Sequence, residues 1–299
     1  MKIILQSVIG FSAVVFGAIY LPDVYRKRKE FSKAPWLPLL GIGLLTDFLD
    51  TLGIGSFAVT TAFYKFLKLV DDRVIPGTLN VGHALPTITE ALIFIMVVTV
   101  EPVTLVSMMI AATLGAVLGA GVVAKMPVNK IRLGLGAALL VVVLAMLAGM
   151  LKFMPTGGDA MGLAGWKLPF AVAVTFCLGA LQTIGIGLYA PCMALVSILG
   201  MSPLAAFPIM MGSCALLMPW CSIRFVRTSA YDPKAAFGLT ALGIVGVLIA
   251  AYIVKSLPLD VLRWVVVVVI LYTSIVMFRS IRKPGAPATP AEACEMKQG

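Results

Sequence analysis

Apolar runs of about twenty residues or longer follow one another along most of this chain, and that pattern leaves few folds open to it. A bilayer core about 30 Å thick takes about 20 apolar residues per helix. The first run, Ile3 to Leu21, has neither a small-residue cleavage site nor a strongly basic leader, which predicts a retained helix rather than a signal peptide. The basic stretch Arg26-Lys27-Arg28-Lys29, with Lys33, comes next. Further runs fall at roughly 37–69, 74–99, 102–124, 130–151, 168–201, 203–222, 235–254 and 261–279. The 299 residues are 61% hydrophobic and 12% charged, against about 45–50% and about 25% in soluble proteins. A soluble enzyme, a DNA-binding module and a disordered chain are excluded, and an all-α polytopic protein with the lipid bilayer as its partner remains.

The formal net charge of +10 then reads as an accumulation of Lys and Arg on the inner side of a membrane rather than as a nucleic-acid surface. Cys177, Cys192, Cys214 and Cys221 lie inside apolar runs and read as small buried hydrophobes, with Cys294 in the tail. With a single His and no Cys-x-x-Cys, neither a metal site nor a cofactor is expected.

Two runs, 37–69 and 168–201, are too long for one ordinary span and too short for two. Glycines interrupt each in the middle, as Thr51-Leu-Gly53-Ile-Gly55 and Thr183-Ile-Gly185-Ile-Gly187. Each therefore predicts a re-entrant pair of half-helices around an unwound turn, which survives at membrane depth only when buried in protein or lining a polar cavity. The interruptions match each other at an offset of 132, as do Pro76 and Pro208, both expected to open the following helix. At an offset of 131, Glu101-Pro102, Gly115, Pro127, Arg132 and Met146 recur as Asp232-Pro233, Gly246, Pro258, Arg263 and Met277. An internal duplication follows. It divides the chain into an N-terminal helix and basic loop (1–35), a first repeat (36–151), an external linker (152–167), a second repeat (168–280) and a disordered cytoplasmic tail (281–299).

If each interrupted segment enters and leaves on one side, each repeat has three further crossings and the two repeats are inverted. The inside then holds 18 of the 23 Lys and Arg residues. That asymmetry predicts an outside N-terminus and a cytoplasmic C-terminus. Inverted repeats with broken helices point to a secondary transporter whose site lies near the midplane.

Broken helices expose N–H groups at the start of their second halves, and two such ends facing each other would cradle an anion. Here the second halves begin near Ser56 and Leu188. Candidate substrate-binding residues are Thr51, Gly53, Gly55, Ser56, Asn80, His83, Gln182, Thr183, Gly185, Gly187 and Tyr189. Asn80, His83, Thr87 and Glu90 follow helical spacing on one face. His83 is a candidate proton carrier, or a histidine satisfied by a backbone carbonyl; Glu90 is read as a residue near the interface. Asp47 and Asp50, whose counterparts are Gly179 and Gln182, would repel an anion and read as a proton or Na⁺ site, or as caps at the break. The glycines themselves have a second reading as close helix contacts, as do Ala111, Gly115 and Gly119. No Walker-type, His-Glu-x-x-His or Gly-x-Ser-x-Gly motif occurs, so no enzymatic role is expected.

The duplicated Gly-rich breaks, Ala190-Pro191 after the second, and a Gly-x-x-x-Gly helix ending in Met126-Pro127-x-x-x-x-Arg132 together resemble the TauE/SafE family of membrane permeases, the sulfite/sulfonate or toluene sulfonate uptake family. The resemblance spans about 36–280. Val59 stands at the first-repeat counterpart of Pro191, and Asp47 and Asp50 also depart from the pattern. The resemblance implies a multi-pass inner-membrane transporter of a small sulfur-containing anion, sulfite or an organosulfonate such as sulfoacetate, working by alternating access coupled to H⁺ or to potential. A passive anion channel and a carrier of small carboxylates are the alternatives. A homodimer is compatible with all of these.

Overall fold

The computed structural model describes residues 2–153, 158–185 and 187–252, together with Val267, Val268, Leu271, Ser274, Ile275, Phe278, Arg279 and Ile281. Apart from Ile281, the tail expected to be disordered lies outside these residues, as do Ile186, Pro258, Arg263 and Met277. Among the described residues the chain is helical and has no strand; one isolated bridge joins Ala160 to Met201. The helices are α1 (Lys2–Lys27), α2 (Trp36–Thr51), α3 (Ser56–Leu67), α4 (Ile75–Gly82), α5 (Ala84–Val97), α6 (Pro102–Val123), α7 (Val128–Met150), α8 (Lys167–Gln182), α9 (Tyr189–Ile198), α10 (Pro203–Arg227) and α11 (Pro233–Tyr252). Four of them, α1, α6, α10 and α11, are long and apolar enough to cross a membrane, and α4 with α5 adds a fifth if the bent pair is one span. These lengths and compositions are those of a membrane-embedded protein. The α10 window is 83% buried against 28% for α1, so α10 is the centre of the fold and α1 lies at its edge.

α2 stops because Gly53 takes φ +82°, which lets Gly53 N–H reach Asp50 O (2.8 Å) and Ile54 N–H reach Leu49 O (3.1 Å). This is a Schellman cap, and it satisfies two carbonyls at the helix end. Gly55, at φ +94°, then turns the chain into α3. α8 ends differently. Thr183, Ile184 and Gly185 donate to the carbonyls of Ala180, Leu181 and Gln182, tightening the last turn before Gly185 leaves it at φ +110°.

A third interruption comes from proline. α4 and α5 meet at His83 with a bend of 41°. Pro86 has no N–H to give to Gly82 O, and the freed carbonyl accepts the Thr240 hydroxyl at 2.8 Å. Pro76 stands in the first turn of α4, as expected. Pro208 does not open a helix: α10 begins earlier, at Pro203, and Pro208 lies inside it. A proline fits a first turn, and in this helix Pro203 already fills that place.

Helices pack through glycine. Gly115 and Gly179 bring α6 and α8 so close that a methyl group on either would strike Phe176 O or Ala112 O. Gly43 and Gly246 do the same between α2 and α11, against Gly238 O and Leu44 O. Polar contacts gather at the two ends of the bundle. At one end Asp23 accepts from Tyr231 (2.6 Å) and pairs with Lys27 (2.8 Å), Asp72 pairs with Lys65 (2.6 Å) and Arg132 (2.8 Å), and Lys234 holds Ser32 O and Ala34 O. At the other, residues 158–163 tie Glu101 and Thr104 to Met201 and Ser202.

Candidate functional site

The two glycine turns line one small cavity. Gly55, Ser56 and Phe57 contribute from the first turn, and Gly187, Leu188 and Tyr189 from the second. Asp50, Thr87, Gln182, Cys214 and Met218 complete the wall. The volume, about 20 Å³, holds about one water molecule. Neither Gly55 nor Gly187 packs a helix tightly: nothing lies within 4 Å of a methyl group placed on Gly55, and only Phe57 Cβ, at 4.0 Å, of one on Gly187. Close helix contact therefore does not explain these two glycines, whereas it does explain Gly115.

Asp50 caps the first turn. Its Oδ1 accepts from Ser56 N–H at 2.6 Å, so a carboxylate already occupies the N-terminus of α3. Its counterpart at the second turn, Gln182, accepts from Cys214 Sγ at 3.4 Å, and α9 starts with no side-chain cap. The two helix ends at the cavity are thus chemically unequal: an acidic side chain holds the first N–H of α3, and among the described residues no side chain holds the first N–H of α9.

Behind the first turn lies a buried relay. His83 Nδ1 is 2.8 Å from Asp47 Oδ1, and Nε2 is 3.0 Å from Thr60 Oγ1. His83 and Asp47 are both fully buried. The bend at Pro86 puts His83 between the helices, and Gly243 leaves the space that Asp47 fills, since a methyl group there would collide with Asp47 Oδ2. Asp47 Oδ2 has no hydrogen-bond partner among the described residues. A backbone carbonyl does not satisfy His83; its partners are a carboxyl group and a hydroxyl, so this unit can take up and pass a proton.

The expected site residues separate into three groups. Gly55, Ser56, Gln182, Gly187, Tyr189 and Asp50 line the cavity. Asp47, His83 and Thr51 stand behind it. Asn80 lies elsewhere: beyond the bend at His83 it turns to α10, donating to Pro76 O (2.8 Å) and accepting from Cys221 Sγ (3.4 Å). Thr183 also lies off the cavity and spends its hydroxyl on Ala180 O (2.7 Å). Gly53 and Gly185 shape the turns without lining the space between them; Gly53 packs against Phe207 and Gly185 against Leu135.

Glu90 lies inside the protein. It is fully buried, and it accepts from Tyr189 Oη (2.7 Å) and stands 2.7 Å from Thr51 Oγ1. Its burial, with no counter-charge among the described residues, shows a carboxyl group packed in protein rather than open to water. Its spacing seven residues after His83 within an apolar run is the signal that could have identified it. Cys214, read as a core hydrophobe, lines the cavity.

No family model matches the chain, and no curated protein or solved structure is found to be similar to it.

Proposed function

We propose that this chain is a secondary transporter of a small anion, with the substrate bound between the two glycine turns. The observation that carries this reading is that turns 132 residues apart in sequence line a single cavity, on which α3 and α9 both begin. Asp50 stands in for an anion at the start of α3; the uncapped start of α9 is the place for the substrate's own negative charge. The cavity holds only a water, so a larger anion enters when the turns separate, as alternating access requires.

The inverted arrangement has its own support. Gly115 packs on Phe176 O and Gly246 on Leu44 O, two contacts related by the sequence offsets of 131 and 132. Lys167 ties the start of α8 to Leu199 O at the end of α9. At the other end of the bundle, Trp36 packs on Phe237 at the start of α2 while Tyr64 reaches Ala235 O near the end of α3. Each interrupted segment in this reading runs inward and returns. Lys27, Lys65, Arg132 and Lys234 meet their partners at the end assigned to the cytoplasm, which fits an inner-membrane protein with a cytoplasmic C-terminus.

The substrate class in this proposal is a sulfur oxyanion, sulfite or an organosulfonate, as the resemblance to TauE/SafE permeases implies. Coupling is to protons, through His83 and the carboxyl groups around it. Thermal unfolding of the purified protein against sulfite, sulfate, sulfonates and small carboxylates tests the assignment. A rise in Tm with a sulfur oxyanion, absent in Gly187→Phe, is expected; a rise with carboxylates alone moves the substrate class, and no rise with any anion removes the site.

A further inference from the structure

Glu90 bridges the two turns. Its Oε1 is 2.7 Å from the hydroxyl of Thr51, at the end of α2, and its Oε2 accepts from Tyr189, the first residue of α9. Thr51 Oγ1 also lies 2.8 Å from Asp47 O, which can only accept. A hydroxyl has one proton to donate. If Thr51 gives it to Asp47 O, the contact with Glu90 needs a proton on the carboxyl group. If Glu90 is ionised, one of the two contacts has no proton in it. All these atoms are satisfied together only when Glu90 is protonated, donating to Thr51 and accepting from Tyr189.

The surroundings point the same way. The titratable groups facing Glu90 are Asp50 and Asp47 on α2 and Tyr189 on α9, while Cys214 faces it from α10 and His83 precedes it along the α4–α5 pair. No Lys or Arg lines the cavity among the described residues. Asp50 has a backbone N–H to hold as a carboxylate; Glu90 has two hydroxyls and no cation. An ionised Glu90 would act on Asp50 from behind the cavity wall, fully buried itself, with repulsion relieved only by letting water in.

We infer that Glu90 is a proton-operated latch: protonated, it clasps Thr51 and Tyr189 and keeps the two glycine turns together; deprotonated, it releases the first turn of α9 and opens the cavity. The proton passes to the water that enters. This rests on reading the cavity as a transport site, and it adds Glu90 to the groups through which the coupling proton acts. Glu90 is here a positioning residue, acting on the site through Tyr189.

Cys214 reports the latch, because it lines the cavity and is buried when the turns are closed. The full-length protein in liposomes is treated with N-ethylmaleimide at a series of pH values, and modification is assigned residue by residue by mass spectrometry. Glu90→Gln keeps both hydrogen bonds, with the amide donating to Thr51 and accepting from Tyr189, and cannot lose a proton. The charge of an ionised Glu90 opposes a thiolate at Cys214 in the wild type only, so the thiol's own ionisation works against the expected difference and cannot produce it. Labelling of Cys214 is expected to rise with pH about tenfold more in the wild type than in Glu90→Gln, the factor for one lost hydrogen bond of this kind. Identical pH profiles overturn the latch. Tyr189→Phe, which keeps Glu90 and removes one clasp, is expected to label quickly at low pH where the wild type is slow; slow labelling there overturns it independently, should the glutamine variant fail to fold. No substrate enters this assay. A pH step without anion uptake therefore keeps the latch and removes the transport reading, and uptake without a step does the reverse.

Discussion

His83 Nδ1 lies 2.8 Å from Asp47 Oδ1, with both side chains fully buried and a hydroxyl, Thr60 Oγ1, 3.0 Å from the other ring nitrogen. Removing one member of a buried pair leaves the other unpartnered, at a cost of about 3–5 kcal/mol. Asp47→Ala is therefore expected to lower Tm substantially, while Asp47→Asn, which can still bond the ring, retains most of it. His83→Ala should change the pH dependence of uptake. An unchanged pH profile in that variant removes His83 as a proton carrier.

Glycines at backbone contacts and glycines in open space should behave differently. Gly115→Val and Gly246→Val force helices apart at Phe176 O and Leu44 O, and overpacking of this kind costs about 1–3 kcal/mol. Nothing lies within 4 Å of a methyl group on Gly41, so Gly41→Val should leave Tm nearly unchanged. Equal effects at all three positions, measured in detergent, would contradict the packing described.

Much of this was legible in the sequence because glycine and proline mark backbone, and backbone is what a membrane constrains most. Gly53 and Gly55 announced a turn, and the structure puts both at positive φ. Side-chain partners were harder to read. Asn80 shares a helical face with His83 and Glu90 only if the helix is straight, and the bend at His83 breaks that face. Glu90 looked interfacial because a lone carboxyl in an apolar run has no visible partner; its partners, Thr51 and Tyr189, lie 39 residues before it and 99 after it. Pro208, matched to Pro76 by sequence offset, does not open a helix, since Pro203 takes that role.

The bend at His83 makes a prediction of its own. Thr240 Oγ1 satisfies Gly82 O at 2.8 Å, the carbonyl that Pro86 leaves free. Thr240→Val should destabilise the protein by about 1–3 kcal/mol, the cost of an unsatisfied buried polar group. In a Pro86→Ala background the helix N–H can serve Gly82 O instead, so the same substitution should cost less. A double-mutant cycle on unfolding detects the coupling; strictly additive effects would show that Thr240 does not answer the proline.

Glu101 caps α6 from outside the membrane span, accepting from Val103 N–H (2.9 Å) and Thr104 N–H (2.7 Å). Its bonds at Thr104, then the Val103 N–H, hold its carboxyl below the ordinary value of 4.5. A carboxyl group lowered on folding stabilises above its unfolded value, and that stabilisation is lost as pH falls through the folded one. The wild type should therefore lose an increment of Tm below about pH 4.5 that Glu101→Gln does not lose. Parallel Tm curves for the two proteins across that range would remove the cap from the account.

In the proposed mechanism the space between the Gly55 and Gly187 turns carries a transported anion. Counterflow in proteoliposomes is its sharpest test, with labelled sulfite or sulfoacetate outside and the unlabelled anion inside. Uptake is expected to saturate, to be accelerated by the internal anion, and to vanish in Gly187→Phe while that variant keeps its Tm. Uptake that is linear in concentration and indifferent to internal anion would mark a channel, and uptake unaltered by Gly187→Phe would contradict the site itself.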